Sequence, residues 1–317
     1  MRRLTALLIV TGMSLVGIAT VAGPAAYATF PGSNGRIVFG AETRHSGYEL
    51  FVVRANGDHL TRITHADGDA VHPDWSPDGR QIVFELDHPS GPPFCSIILM
   101  NAEGTHMVDL TGQRTGCEGQ PSFAPDGRRI VFGRFNDVTN VEAIWSMSLD
   151  GGDRHRITTG IGRGVTDPNA SPNGELVSFI EYSGNELSQA IATVDFDGSY
   201  LDKVVPFSFD VAVKHDWAPN GRQLVFTNNA DDFERPANIL TVRPDGADRR
   251  HLTHYRRPNH RAYVGGYSPN GNWIVFRLEV GDRSGLYRMR ADGTDRTEIL
   301  PLSSFRPRFI DWGPQPT

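Results

Sequence analysis

The stretch Pro73-Asp74-Trp75-Ser76-Pro77-Asp78-Gly79-Arg80-Gln81-Ile82-Val83-Phe84 decides the fold. Ser76-Pro77-Asp78-Gly79 puts Pro at the second turn position and Asp-Gly after it, residues that tolerate a tight reversal. The following Gln81 to Phe84 is β-branched and aromatic, which reads as a buried strand. A short extended segment, a turn and a strand make a hairpin. The pattern returns as PSFAPDGRRIVF from Pro121, PNASPNGELVSF from Pro168, HDWAPNGRQLVF from His215 and GGYSPNGNWIVF from Gly265. A sixth copy is divided between the ends of the chain: Ser33 to Phe39 carries the turn and second strand, and Asp311 to Pro314 carries the first.

A second ladder runs in phase with the first. Downstream of each hairpin comes another strand, an Asn/Asp/Glu-Gly type turn, and a strand that usually ends in Leu/Ile-Thr, as in Leu50 to Thr64 (LFVVRANGDHLTRIT). Its turn glycines, Gly57, Gly104, Gly151, Gly198, Gly246 and Gly293, are 47, 47, 47, 48 and 47 residues apart. Four short strands per repeat, with a period between the usual propeller periods, predict an all-β, six-bladed β-propeller of four-stranded blades. The divided copy predicts an N-/C-terminal strand latch, in which both ends of the chain complete one blade. Trp75, Phe123, Ala170, Trp217, Tyr267 and Trp312 occupy one equivalent position and read as packing between neighbouring sheets.

Residues 1–28 read differently from the rest. Arg2-Arg3, an apolar run from Leu4 to Ala22 and the small-residue site Ala26-Tyr27-Ala28 are the pattern of a secretory signal peptide. Residues 29–317 are then a single propeller domain, exported to the periplasm or secreted, with no membrane span left after cleavage. The formal net charge of -6 gives no basic face for nucleic acid. Cys95 and Cys117 are the only cysteines. Cys95 opens the third strand of its unit and Cys117 lies just past the fourth, so antiparallel neighbours bring both to one edge. A disulfide is expected in an oxidising compartment, the alternative being two unlinked thiols.

These repeats resemble the WD40-like β-propeller repeat of the TolB family, written around P-x-W-S-P-D-G and an I-V/A-F strand. Pro73 to Phe84 matches it throughout, and Val242-Arg243-Pro244-Asp245-Gly246 with His251-Leu252-Thr253 matches the companion N/D-x-D-G and R-L-T segment. The resemblance covers nearly all of residues 29–317. It implies a rigid propeller that offers its faces and central tunnel to partners. The family's namesake works in the periplasm with partners of the cell envelope and has a separate N-terminal domain, of which no counterpart is expected ahead of Ser33.

No G-x-S-x-G nucleophile elbow, H-E-x-x-H or H-x-x-E-H pattern occurs. The polar residues of interest lie where the fourth strand of one blade leads into the first strand of the next, at one end of the tunnel. His72, Gln120, Asp167, His215 and Arg306 are the candidate ligand-binding residues there. The expectation is an exported, non-catalytic, monomeric binding scaffold without cofactor, for an envelope or extracellular protein or a small ligand. The alternative is a metal-dependent lyase or hydrolase acting on an anionic saccharide, with His72 and His215 holding a divalent cation; it resembles the six-bladed lyases of oligogalacturonate. The Arg-rich loop from His254 to Arg261 also leaves an anionic ligand at the tunnel mouth open.

Overall fold

The computed structural model describes residues 31–43, 47–91, 93–112, 116–136, 141–159, 164–184, 188–229 and 234–317. The signal peptide expected over 1–28 lies outside them. The described residues form short strands joined by turns: β1 (Asn34–Thr43), β2 (Gly47–Val53), β3 (Thr61–Arg62), β4 (Asp69–Trp75), β5 (Gln81–Asp87), β6 (Cys95–Asn101), β7 (Val108–Asp109), β8 (Cys117–Phe123), β9 (Arg129–Asn136), β10 (Val141–Ser148), β11 (His155–Arg156) and β12 (Val165–Ala170). The remainder are β13 (Leu176–Tyr182), β14 (Gln189–Asp195), β15 (Leu201–Val205), β16 (His215–Trp217), β17 (Leu224–Asn228), β18 (Asn238–Val242), β19 (Arg250–His251), β20 (His260–Tyr267), β21 (Trp273–Val280), β22 (Arg283–Arg290), β23 (Thr297–Ser303) and β24 (Arg308–Pro314). No helix among the described residues is long and apolar enough to cross a membrane.

The architecture is an all-β propeller of antiparallel hairpins, but the sheets do not divide into the six separate blades expected. Four sheets of four strands stand alone, in the orders β24-β1-β2-β3, β12-β13-β14-β15, β16-β17-β18-β19 and β20-β21-β22-β23. The eight strands β4 to β11 form one sheet. Its two halves meet where β6 runs parallel to β8 at a single pair, Cys95 opposite Cys117. The physical reason is covalent. Cys95 and Cys117 form a disulfide with Cα atoms 4.8 Å apart, the spacing of neighbouring strands. In the first sheet β24 lies antiparallel to β1, with Ile37 opposite Trp312 and Val38 opposite Asp311.

Each part of the repeat has a local physical role. In the hairpin turn the Ser76 hydroxyl accepts the Gln81 N–H at 2.9 Å, and Ser171 and Ser268 do the same for Leu176 and Trp273. The threonine of the Leu/Ile-Thr ending closes the third strand: Thr64, Thr111, Thr158 and Thr253 accept the N–H of Leu50, Ile97, Ile144 and Ile239 at 2.8–2.9 Å. A buried backbone donor left open there would cost about 1–3 kcal/mol. Gly104, at φ 79°, passes so close to the preceding repeat that a Cβ would lie 2.0 Å from the Ile63 carbonyl oxygen. The glycines at 57, 151, 198, 246 and 293 meet the carbonyls of Ile299, Leu110, Ile157, Val204 and Leu252 in the same way.

The core lies between sheets, not at one centre. Trp75 packs with Val38, Leu50 and Val52 of the first sheet, and Trp217 packs with Ile180, Ile191 and Val205 of the sheet before it. Trp312 joins β1 to Val275 and Leu286. All six residues of the aromatic position, Ala170 included, are at most 2% exposed.

The bridge closes a loop of sequence separation 22. Replacing both cysteines by serine is expected to lower unfolding stability by about 3 kcal/mol, the loop-entropy value for that length. Urea unfolding of the oxidised protein and the double variant measures it. Coincident midpoints would mean that the bridge constrains nothing.

Candidate functional site

The first strand of several repeats carries a bulge just before its aromatic residue. Register shifts fall between Val71 and Asp74, Gly119 and Ser122, and Thr166 and Asn169. His72, Gln120, Asp167 and Phe309 all have left-handed backbone there, with φ of 47–51°. A bulge re-aims side chains that regular pleating would alternate. Here it brings His72, Gln120, Asp167, Lys214 and Phe309 to one small cavity of about 10 Å³. The ring of His72 lies 4.0 Å from that of Phe309. Three of the five candidate residues are therefore gathered on the tunnel wall.

His215 is not among them. It aligns with Pro73, Pro121 and Pro168, one position beyond the bulge, and Lys214 takes the place that His72 has in its own repeat. His215 is fully buried, its Nδ1 3.1 Å from Asp167 Oδ2 and its Nε2 2.7 Å from Ser178 Oγ. Both ring nitrogens are engaged, so a cation at His215 would have to displace one of these bonds. Burial brings the pKa of His72 down to about 4, leaving its imidazole neutral at neutral pH. Among the described residues the tightest grouping of metal-ligating types is Glu85 with Cys95 and Cys117, whose sulfurs are spent on the disulfide.

Further along the axis stands a layer of residues not singled out in the sequence. Asp74 Oδ2 accepts the Phe123 N–H at 2.8 Å, Asp216 Oδ2 that of Tyr267 at 2.7 Å, and Asp311 Oδ2 that of Trp75 at 2.9 Å. Each carboxylate thus reaches from one first strand to the next. Gln120 and Asp167 repeat the device nearer the mouth: Gln120 Oε1 accepts the Asp167 N–H at 2.7 Å and the Thr166 hydroxyl, and Asp167 Oδ2 accepts the His215 N–H at 3.3 Å. The visible signal was an aspartate inside a strand, where that residue is disfavoured.

Lys214 faces this acidic layer. Burial works against its charge, but Asp167, Asp311, Asp74 and Asp216 outweigh it and hold the ammonium pKa above its ordinary value. Burial likewise raises Asp311, and it raises Asp74 further with the help of Asp311. Asp167 goes the other way: burial opposes the shift, but the bond from His215 and its charge bring the pKa below the ordinary value. The axial space beside Asp74, Ser122, Asn169, Asp216 and Asp311 is about 20 Å³. That is room for about one water, so the tunnel is packed there.

Open space lies at the mouth. A cavity of about 440 Å³ is bounded by Lys214, Tyr263, Arg277, Glu279, Arg306 and Arg308, with Val264, Phe309 and Ile310 as apolar wall. Arg306, the fifth candidate, is placed here and not with His72; it donates to the Asp282 carbonyl at 3.1 Å. Arg277 and Arg308 were not anticipated. They stand on strands β21 and β24, where sequence alone does not say which way a polar residue turns.

Burial raises the pKa of Glu142 from 4.5 to about 7, against a weaker opposing bond from Thr166. Native protein therefore keeps a proton on Glu142 that the unfolded chain has already lost. This contribution is complete below about pH 4.5 and is lost as pH rises through about 7. Glu142→Gln is expected to leave stability unchanged in acid and to gain on the order of 1–3 kcal/mol over the parent at mildly alkaline pH. Denaturant midpoints across that range test it, and a parent whose excess stability grows with pH would contradict the sign.

Residues 94–263 match the family described as TolB beta propeller domain, PD40. The uncharacterized protein Atu1656 of Agrobacterium fabrum is 24% identical over 160 residues, covering 48% of this chain and 52% of that protein. The Tol-Pal system protein TolB of Alcanivorax borkumensis is 29% identical over 98 residues, covering 30% of this chain and 22% of that protein. The chain thus spans about half the length of the first relative and under a quarter of the second. Among solved structures, TolB from Acinetobacter baumannii superposes with a TM-score of 0.73 at 21% identity, over 89% of this chain and 67% of that one. A putative TolB from Agrobacterium tumefaciens gives 0.64 at 16% identity, over 84% and 88%. At such identities the likeness is one of fold. Repeat, fold and a family match spanning more than half of its residues agree, and the chain belongs to the TolB beta propeller (PD40) family.

Proposed function

We propose that this chain is an exported, non-catalytic binding scaffold, a single domain over residues 29–317 that receives a protein or small ligand of the cell envelope or its surroundings at the tunnel mouth. The observation that carries this reading is how the axial polar groups are used. Asp74, Asp167, Asp216, Asp311 and Gln120 accept backbone amides of the next strand, and His215 has both ring nitrogens occupied. Groups held in this way serve to join sheets. The free volume and the less compensated charge lie outside them, at the rim.

The ring in this reading has six units. The eight-stranded sheet counts as two of them welded by the disulfide, which is supported by a core cluster inside it that joins Val83 and Ile97 to Phe132 and Met147. The six glycine-to-carbonyl contacts support the same count, because they run from each repeat to the one before it and return from Gly57 to Ile299. The pairing of β24 with β1 is then the latch that closes the ring. The envelope location rests on the leader pattern of residues 1–28 and on the likeness to a Tol-Pal system protein.

Two experiments test this. A chain ending at Phe305 lacks β24 and is expected to lose cooperative unfolding, since β1 keeps an open edge and Trp312 leaves its cluster; a truncated chain that melts like the parent would rule out the latch. A photo-crosslinking residue in place of Arg306, in protein returned to its own cell envelope, is expected to capture a discrete partner, and one in place of the exposed Tyr200 to capture none. Capture at both positions or at neither would argue against docking at the mouth.

A further inference from the structure

We infer that the mouth cavity is a site for a small organic carboxylate, its anionic group held between Arg277 and Arg308 and its apolar body against Tyr263, Phe309 and Ile310. The inference rests on the scaffold reading and gives its docking point a ligand chemistry. Arg277 is only 9% exposed, yet its Nε has no hydrogen-bond partner, and the Nε of Arg308 is in the same state. Buried polar groups are nearly always paired, and a charged one left open is costly.

The charges around the cavity do not cancel. Lys214 is answered by the four axial aspartates. Arg277 has Glu279 at a loose 3.4 Å and the ring of Tyr263 at 4.2 Å from its guanidinium carbon. Burial first, and the like charge of Arg308 as well, lower its pKa despite Glu279. Two guanidinium groups thus repel one another across a cavity with one carboxylate on its wall. A planar carboxylate matches the fork of a guanidinium and would offset the excess positive charge on this wall. Val264, Phe309 and Ile310 with Tyr263 make an apolar part of the wall beside these charges, and this favours an apolar body behind the carboxylate. The volume of about 440 Å³ is that of a small-molecule site.

The test is calorimetric titration of the oxidised mature chain with 4-phenylbutyrate, with its neutral counterpart 4-phenylbutanol and with inorganic phosphate. Saturable one-site binding of the carboxylate is expected, at least about tenfold tighter than the alcohol or phosphate and weakening as salt is added. Arg308→Gln, at a half-buried position, is expected to weaken carboxylate binding about tenfold with an unchanged melting temperature. Arg277→Gln serves as a second variant, its fold checked by the same melt. No saturable carboxylate binding, equal binding of alcohol or phosphate, or full affinity in a folded Arg308→Gln protein would overturn the inference. Partner capture through position 306 is read separately. Capture without carboxylate binding removes this inference and keeps the scaffold; binding without capture keeps the site and removes the protein partner.

Discussion

A side chain of one first strand that accepts the backbone N–H of the next is the bond on which the rest of this molecule depends. Sheets in a propeller touch face to face through side chains, and apolar packing is non-directional. It does not by itself fix how far one sheet slides along another. The bonds from Asp74 to Phe123, Asp216 to Tyr267 and Asp311 to Trp75 do, because each ties a side chain to one amide of the neighbour. They also explain why carboxylates are kept in the enclosed middle of the protein. Burial raises the pKa values of Asp74 and Asp311; amide donors, and Lys214 near the axis, offset part of that cost.

The device is unevenly distributed. Ser122, Asn169 and Gly266 stand where the other repeats have aspartate. Beside Ser122 and Asn169 the neighbouring layer compensates, since Gln120 and Asp167 perform the same reach two residues earlier on their strands. At Asn169 it is the backbone carbonyl that accepts, from the indole N–H of Trp217 at 3.2 Å. One geometrical task is thus met by carboxylate, amide or main chain according to what the repeat supplies.

Much of the fold was legible in the sequence because a repeat prints its geometry many times. The hairpin from Pro73 to Phe84 and the Gly57 ladder locate turns and strands by chemistry that acts within a few residues. What was illegible acts at a distance. The continuous sheet from β4 to β11 depends on Cys95 meeting Cys117 in parallel register, which no local preference specifies. The grouping of His72, Gln120 and Asp167 could be read from their shared place in the repeat. The engagement of His215 could not, since its partners Asp167 and Ser178 are 48 and 37 residues away. Arg277 and Arg308 escaped notice for a similar reason: a strand arginine usually snorkels to water, and only the packed structure shows them turned to a common cavity.

The antiparallel run of β1 and β24 also sets the orientation of the whole body. Asn34 pairs with Pro314 at one end of the two strands, while Gly40 pairs with Arg308 at the other, beside the cavity. Both outermost strands therefore leave the molecule on the face away from the mouth, separated from it by the length of a seven-residue strand, about 20 Å. An attachment made through either of these ends, to a surface or to a neighbouring domain, would hold the molecule with its cavity turned outward. Copies fixed in that way would all present the same arginine-lined opening to whatever passes.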